Sequence, residues 1–429
     1  MIALPSFGSS SFKLMARGLV ELHRLIREGQ DDSPKGEAVR DALDAPLHAL
    51  NRIEKERAEW LTIDLYSVSD PPAPIPLKEM TPQAQQQLIE AYEALHNQEW
   101  DRALELLRKW QERIAPALLS YMRGTIWGGA GYPEVAAYFY EHAKKTDPTN
   151  ADYHALYLDA LAESDPVTAE KLSKQVLADY EQHSPLVVAF AAHIHFHHVG
   201  VLSDNEVATM CRELIPILES NLKRLDNDKD AASRSEGYVM TVQTLGICYD
   251  LQGHSRAAID CFSRGLLTNP NHVPLLVSRG ILRYGRSPGA ISDLEQAERL
   301  GLPQVLPYFF LAHHYLITNR FEQCRVMCEK GLSMTGSSDA TKSQLEEWRA
   351  ISQGELGFPQ DTVRTAFEAA VRWDSSNESA ARNREAYEAS LRTPHSRPNS
   401  LWEKKSEAAI RQFGILERRY QSLQPTTVS

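Results

Sequence analysis

A run of histidines, HIHFHH at positions 193–198, holds the side chains with the most evident capacity for chemistry. If the run is helical, His193 and His197 lie one turn apart on one face and could share a metal ion. A zinc protease carries glutamate directly after its first histidine, whereas Ile194 stands here, and a third ligand would have to come from another element. We therefore predict histidines that line a groove or pack between helices. A metal-dependent hydrolase that uses His193–His198 is kept as the alternative.

A glycine-rich run, GTIWGGAG at positions 124–131, superficially suggests a phosphate-binding loop. A nucleotide P-loop needs a lysine and a hydroxyl residue after its last glycine, whereas Tyr132 and Pro133 follow here. The glycines instead suit the end of a helix and the turn after it. No nucleotide, and no other cofactor, is predicted.

Two further pairs of side chains, Cys324 with Cys328 and Glu346 with Glu347, have structural explanations. The thiols would lie one helical turn apart, where a disulfide would strain the helix, so we expect small core residues. Adjacent acids are common on solvated helix faces, and we expect the two glutamates on such a face. The sequence therefore predicts no catalytic residue and a protein that is not an enzyme.

The elements that would position these side chains belong to a chain of 429 residues with 46 basic and 57 acidic residues, a formal net charge of −11. This balance argues against a dedicated nucleic-acid or anionic-membrane surface. Five scattered cysteines do not suggest a disulfide framework, and the N-terminus has no apolar run of signal-peptide length. The most apolar windows, 186–196 and 306–317, are too short to span a bilayer. We expect a cytoplasmic protein without a membrane segment.

The clearest architectural pattern lies at positions 239–271, VMTVQTLGICYDLQGHSRAAIDCFSRGLLTNPN. Gly246 and Tyr249 would share one face of a first helix, and Ala258 and Phe262 would face them from a second helix. Small residues at a helix crossing let the two axes approach closely, while the aromatic rings fill the flanks. This pattern closely resembles the tetratricopeptide repeat (TPR).

Small residues recur along the chain at the spacing of this repeat. Gly124 lies 33 residues after Ala91, Gly280 lies 34 after Gly246, and Ala312 lies 32 after Gly280, close to the family period of 34. The resemblance implies an all-α fold, a right-handed α-solenoid of TPR-like helix pairs. Its first helices would line a concave groove that binds peptides or helices of partner proteins.

Changes in composition predict the boundaries of the domains. The run DPPAPIPLKEMTP opposes helix formation and favours an extended connector, and the charged positions 226–236 are expected to form an exposed loop. GQDDSP, DALDAP and DLYS near the N-terminus resemble a helical module found ahead of TPR arrays in some bacterial proteins, which implies a bacterial source. We predict an N-terminal helical module at 1–69, a proline-rich linker at 70–82, partly degenerate TPR-like repeats at 83–230, TPR repeats at 231–392, and a C-terminal capping helix and tail at 393–429.

Candidate partner contacts are the first-helix side chains that turn away from their own second helix. They are Tyr92, Tyr121, Gln243, Asp250, Tyr284, Phe309 and His313. The best-known TPR subgroup grips the terminal carboxylate of chaperones with lysine, asparagine and arginine at such places, and this chain has none of them there. The aromatic and aliphatic lining instead predicts a peptide or helix of another protein as ligand. We expect a protein-binding scaffold, monomeric or weakly dimeric, with a peptide-sensing regulator as a further alternative.

Overall fold

The structure is a computed structural model that describes residues 7–69, 82–198, 203–227, 231–301, 304–334, 337–392 and 402–422. Within these ranges every regular element is helical, with 21 α-helices and one-turn 310 helices at Gln111–Arg113 and Tyr180–Gln182. No helix in this part of the chain is long and apolar enough to cross a membrane. The prediction of an all-α fold is confirmed.

Two compact units divide the chain, residues 1–198 and residues 199–429. The helices of the first unit are α1 (Ser10–Arg27), α2 (Pro34–Ala49), α3 (Arg52–Ser69), α4 (Pro82–His96), α5 (Trp100–Trp110), α6 (Pro116–Gly129), α7 (Pro133–Thr146), α8 (Ala151–Ser164), α9 (Pro166–Ala178) and α10 (Pro185–His198). The helices of the second unit are α11 (Asp204–Asn227), α12 (Ala231–Leu251), α13 (Ser255–Thr268), α14 (Val273–Arg283), α15 (Gly289–Leu300), α16 (Val305–Ile317), α17 (Phe321–Leu332), α18 (Asp339–Glu355), α19 (Gln360–Trp373), α20 (Glu378–Arg392) and α21 (Glu407–Ser422).

The helices pack in successive pairs, such as α6 with α7, α12 with α13 and α16 with α17. A Cβ built on Gly246 would lie 2.4 Å from a ring carbon of Phe262, and one on Gly124 would lie 2.7 Å from the ring of Tyr140. Both glycines are therefore required for the aromatic ring of the second helix to lie against the backbone of the first. The predicted small-residue crossings exist in both units.

The first three helices pack onto the helix pairs of the first unit. Helix α1 contacts α2, α3 and α7, and Phe12 stacks on Trp127 with ring centroids 6.4 Å apart. From α3, the fully buried carboxylate of Asp64 pairs with Arg123 at 2.8 Å and with Arg108 at 3.1 Å. Residues 7–69 therefore belong to the same compact unit as α4–α10. Of the predicted linker at 70–82, positions 70–81 lie outside the described residues, and the predicted domain boundaries stay predictions.

The predicted exposed loop at 226–236 is wrong in most of its length. Helix α11 continues to Asn227, and α12 already begins at Ala231. Charge alone does not stop a helix when its charges find partners, and Asp226 accepts hydrogen bonds from Arg264 at 3.0 and 3.3 Å. Arg264 also donates to the Tyr238 hydroxyl of α12 at 3.0 Å, so the second helix of the pair joins both flanks of the segment.

Candidate functional site

Four first helices of the second unit, α14, α16, α18 and α20, contact one another in succession. The C-terminal segment, residues 402–422, lies across them: its first residues contact α20 and α18, and α21 contacts α16 and α14. We call the face of α14, α16, α18 and α20 that meets this segment the inner surface. It therefore already holds an extended stretch of chain followed by a helix.

The extended stretch is held by its main chain. The side-chain Nδ2 of Asn383 donates to the carbonyl oxygen of Glu403 at 3.0 Å, and the Glu403 N–H donates to Asn383 Oδ1 at 2.7 Å. These two bonds reproduce on one side chain the pairing that a neighbouring β-strand would offer. They are independent of the side chain at position 403, so this contact recognises extended backbone rather than a particular residue. The pairing keeps Glu403 out of the helix, and the last helix starts at Glu407.

A buried carboxylate fixes the orientation of Asn383. Glu347 on α18 is 1% exposed, and its Oε1 accepts from Asn383 Nδ2 at 2.7 Å. Its Oε2 accepts from Gln344 at 2.6 Å and from Ser379 at 2.9 Å. Because the carboxylate needs donors, the amide nitrogen of Asn383 must face it and the amide oxygen must face the Glu403 N–H. Burial raises the pKa of Glu347, and the hydrogen bonds from Ser379 and Asn383 oppose that rise.

Trp402 anchors the start of the C-terminal segment. The side chain is 7% exposed, and its ring centroid lies 6.0 Å from that of Phe367 and 6.2 Å from that of Tyr387. Its indole N–H donates to the carboxylate of Glu355. A large ring whose polar atom also finds a partner is the usual form of an anchor residue in a protein interface.

Charged side chains hold the edges of the extended stretch. Glu403 accepts two hydrogen bonds from Arg382, at 2.6 and 3.0 Å, and this ion pair is about half exposed. Lys404 donates to the carbonyl oxygen of Leu316 at 3.0 Å and to Asn319 Oδ1 at 2.9 Å, at the C-terminal end of α16. A cation at a helix C-terminus interacts favourably with its unpaired carbonyl groups. Glu403 thus meets a cation on α20, and Lys404 meets the partially negative C-terminal end of α16.

Aromatic rings of the inner surface receive α21. Phe413 stacks on Phe309 with ring centroids 5.2 Å apart, and the interplanar angle is 25°. The backbone of α21 lies even closer to the inner surface at Gly414. A Cβ built on Gly414 would lie 2.1 Å from the Cζ atom of the fully buried Phe310. Arg411 adds a hydrogen bond of 2.6 Å to the carbonyl oxygen of Tyr284. Glycine at position 414 therefore allows the backbone of α21 to rest on the ring of Phe310.

His313 connects the rings to the extended stretch as a neutral imidazole. Its Nε2 lies 2.8 Å from the carbonyl oxygen of Lys405, which can only accept, so Nε2 carries the proton. Its Nδ1 then accepts from the Tyr284 hydroxyl at 2.7 Å. Burial lowers the pKa of His313 to about 4, which agrees with this neutral form.

An open cleft of about 340 Å³ flanks the C-terminal segment. Its lining includes Gln344 of α18, Arg382 of α20, and Glu403, Lys405 and Phe413 of the segment. The C-terminal segment therefore leaves part of the inner surface open beside it.

Comparisons with known proteins give no family model and no curated protein that matches this chain. Among solved structures, a tetratricopeptide repeat protein from Parabacteroides merdae is 15% identical, with 61% of this chain and 97% of that chain covered at a TM-score of 0.35. The P58(IPK) TPR domain is 16% identical over 80% of each chain, at a TM-score of 0.23. A chain of the APC/C hetero-tetramer Cut9-Hcn1 is 15% identical, with 95% of this chain and 86% of that chain covered at a TM-score of 0.31.

The packing of the helix pairs themselves decides the architecture, because glycine lies under an aromatic ring at Gly124 and again at Gly246. The chain is TPR-like. Its predicted bacterial source stays a prediction.

Of the predicted partner contacts, the TPR-like second unit brings three together under the C-terminal segment: Tyr284, Phe309 and His313, all fully buried. The other four lie elsewhere. Gln243 is half-buried and Asp250 buried on α12, Tyr121 of α6 packs 5.3 Å from Tyr153, and Tyr92 of α4 is 42% exposed. Their role in partner binding stays a prediction.

The histidine cluster belongs to α10 of the first unit. The ring centroids of His193 and His197 lie 4.3 Å apart, and His195 Nδ1 lies 2.8 Å from a carboxylate oxygen of Glu170. The side chain of His198 lies outside the described residues. Among the side chains that are described, no group of three or more histidine, cysteine, aspartate or glutamate residues is arranged to hold a metal ion.

The residues that hold the C-terminal segment were largely missed by the sequence interpretation. The expectation of a solvated face for Glu346 and Glu347 is wrong, since they are 7% and 1% exposed. Glu347 is buried because four side chains donate hydrogen bonds to it, among them Asn377 and Asn383. The available signal was the clustering of asparagine and serine at 376–383, which supplies donors near the start of a helix.

Proposed function

We propose that this protein is a non-enzymatic scaffold that binds another protein on the inner surface of its second unit. The ligand is a segment with an extended stretch followed by a helix. One observation supports this proposal above the others: Asn383, oriented by the buried Glu347, offers a donor and an acceptor to a passing main chain. Such a contact serves binding, and the polar groups around it are engaged in holding a chain rather than in activating a nucleophile.

The chemistry of the inner surface supports a protein ligand. Buried aromatic rings, among them Phe309 and Phe310, supply apolar area for a helix, and Arg382 with Asn319 supplies polar partners at the rim. An apolar centre with a polar rim is the usual composition of a protein interface. The formal net charge of −11 also gives no general attraction for nucleic acid.

Affinity purification from cells that produce the protein tests the proposal. We expect a protein that co-purifies with the wild type and with Leu267→Asp, because Leu267 is 84% exposed on α13, away from the inner surface. The same protein should be lost with Asn383→Ala, in a sample that circular dichroism shows to be folded. An identical set of co-purifying proteins in all three samples would contradict the proposed surface.

A further inference from the structure

The C-terminal segment lies on the inner surface as a bound peptide ligand would. Its contacts are of three kinds: an aromatic anchor at Trp402, a main-chain clamp at Glu403, and a helix that rests on aromatic rings through Phe413 and Gly414. These are the elements of strand pairing and of helix-in-groove recognition, two common modes of peptide binding. In this chain one continuous segment makes both.

The position of α21 is not that of a terminal cap. A cap for a stack of helix pairs covers the apolar face left open by the last pair. Helix α21 instead contacts α14 and α16, while the last helices of the stack, α19 and α20, contact each other. The C-terminal segment thus turns back along the inner surface, from α20 toward α14.

Among the described side chains of the segment, those of residues 402–415, few are fully buried. Between positions 402 and 415, only Trp402, Ile410 and Gly414 are buried. Glu403 and Arg382, which form the ion pair at the edge, are about half exposed, so water competes for this contact. The core of the second unit, by contrast, includes helices such as α16, in which 11 residues are buried. The segment can therefore leave the surface at a much smaller cost than the unfolding of α16.

We propose that residues 402–422 are an internal ligand that a partner protein displaces, and that the partner carries a segment of the same chemistry. That chemistry is an aromatic residue, an acid and two basic residues ahead of a helix, then a short amphipathic helix with a glycine where it crosses Phe310. This inference rests on the proposed function and adds the pattern of the partner and its regulation. In the closed molecule the segment competes with the partner. The apparent affinity for the partner is therefore the intrinsic affinity multiplied by the fraction of molecules that are open.

Gly414→Leu opens the inner surface without altering it. The added side chain meets Phe310, whereas leucine favours helix more than glycine does, so loss of docking cannot come from a weaker α21. Ala408→Leu is the matched control, because Ala408 is exposed on the same helix and receives similar bulk. Neither residue contributes a side-chain contact to the surface that the partner would meet.

The probe is a fluorescein-labelled peptide of residues 402–422, WEKKSEAAIRQFGILERRYQS, titrated with the full chain and followed by anisotropy. We expect the Gly414→Leu protein to bind it at least about 10-fold tighter than the wild type or Ala408→Leu, as for a surface closed in nine molecules of ten. The same peptide with Gly414→Leu should not bind, and adding Asn383→Ala to the opened protein should abolish binding. Equal binding by all proteins, or none by the Gly414→Leu protein, would overturn the internal ligand.

Hydrogen exchange of the wild-type chain gives a second, independent readout. The amides of 407–415 should exchange at least about 100-fold faster than those of α16, because they open without global unfolding. Equal protection of α21 and α16 would show a permanent part of the fold and overturn the proposal. Another outcome is that the wild-type protein forms concentration-dependent dimers that the peptide dissociates. That result would assign the surface to a second copy of this chain and would overturn the proposal of a different partner protein. If either result overturned the internal ligand, the scaffold function would still be supported by a protein that co-purifies with the wild type and Leu267→Asp but not with Asn383→Ala.

Discussion

At the scale of single residues, Asn383 and Glu347 show how a buried charge acquires a binding role. Glu347 cannot be left without donors in the interior, and its demand for them fixes which way the Asn383 amide points. The remaining oxygen and hydrogen of that amide are then presented to Glu403 in one orientation only. A polar network that stabilises the fold thus also prepares the surface for an extended chain.

His313 predicts a pH dependence of stability with a definite sign. Its pKa in the folded chain is about 4 against an ordinary value of 6.5, so between these values the unfolded chain binds a proton that the folded chain excludes. The stabilisation is complete above pH 6.5 and is lost as the pH falls toward 4, at a cost of up to about 3 kcal/mol while the C-terminal segment covers His313. Denaturant unfolding of the wild type and of His313→Gln between pH 4 and 7.5 measures it.

His313→Gln is a suitable comparison because glutamine can still donate to Lys405 and accept from Tyr284 but does not titrate. His142 and His154, whose pKa values burial lowers to about 4, are present in both proteins and cancel in the difference. The stability of the wild type should fall more steeply with acid than that of the variant. Parallel curves would show that His313 does not exclude the proton.

Whether the sequence predicts the role of a residue depends on how near in the chain its interaction partners lie. Gly246 and Phe262 were recognisable because a helix crossing demands small and aromatic residues at a fixed spacing. Glu347 was not, because its donors come from Gln344 nearby and from Asn383 on another helix. Burial of a carboxylate follows from such distant partners, and residue type alone gives the solvated face as the default.

At the scale of elements, the crossing of α12 and α13 makes a sharp prediction. Gly246→Ala places a methyl group 2.4 Å from the ring of Phe262, so the pair must move apart or the ring must turn. We expect a loss of about 1–3 kcal/mol in the free energy of unfolding of the second unit, as for other overpacked cores. Urea unfolding followed by circular dichroism measures the change.

Gly128→Ala is the control for that substitution. Its Cβ would lie 3.4 Å from the Cβ of Ala136, an ordinary contact, and alanine favours helix more than glycine by up to about 1 kcal/mol. The control should therefore be neutral or slightly stabilising. If Gly246→Ala were equally harmless, the close crossing would not be what holds this helix pair.

The elements also show where a sequence pattern stops being informative. Periodicity located most of the first and second helices, and the C-terminal helix predicted within 393–429 is α21, Glu407–Ser422. It could not show that residues 403–405 would lie outside the helix, because the backbone groups of Glu403 and Lys405 bond to Asn383 and His313, which are distant in sequence. Nor could it show that α21 packs on α14 and α16, since the apolar face of an amphipathic helix does not specify which helices it packs against.

At the scale of the whole molecule, the buried ion group of Asp64, Arg108 and Arg123 joins the N-terminal helices to the rest of the first unit. Asp64→Ala should lower the free energy of unfolding of that unit by about 3–5 kcal/mol, because Arg123, 1% exposed, would keep a buried charge without its carboxylate. Burial already lowers the pKa of Arg123, and only Asp64 opposes that effect strongly. Thermal and urea unfolding of the full chain measure the loss.

Asp101→Ala is the matched control, since Asp101 also pairs with an arginine, Arg57, but its side chain is 44% exposed. Removal of such a pair typically costs about 0–1 kcal/mol. Limited proteolysis adds a readout of position: cleavage within 7–69 should accelerate in Asp64→Ala and not in Asp101→Ala. Similar losses in both variants would mean that burial of the ion group does not determine how firmly α3 is held.

The backward course of the C-terminal segment also has a consequence for protein synthesis. A ribosome delivers residues in chain order, at roughly 5–20 per second, so α14 to α20 emerge from it before residues 402–422 do. Every new molecule therefore passes through an interval, on the order of a few seconds or less, in which α14 to α20 are outside the ribosome and its own segment is not. A partner made at the same place would meet that surface without competition, and assembly during translation would be faster than assembly from finished chains.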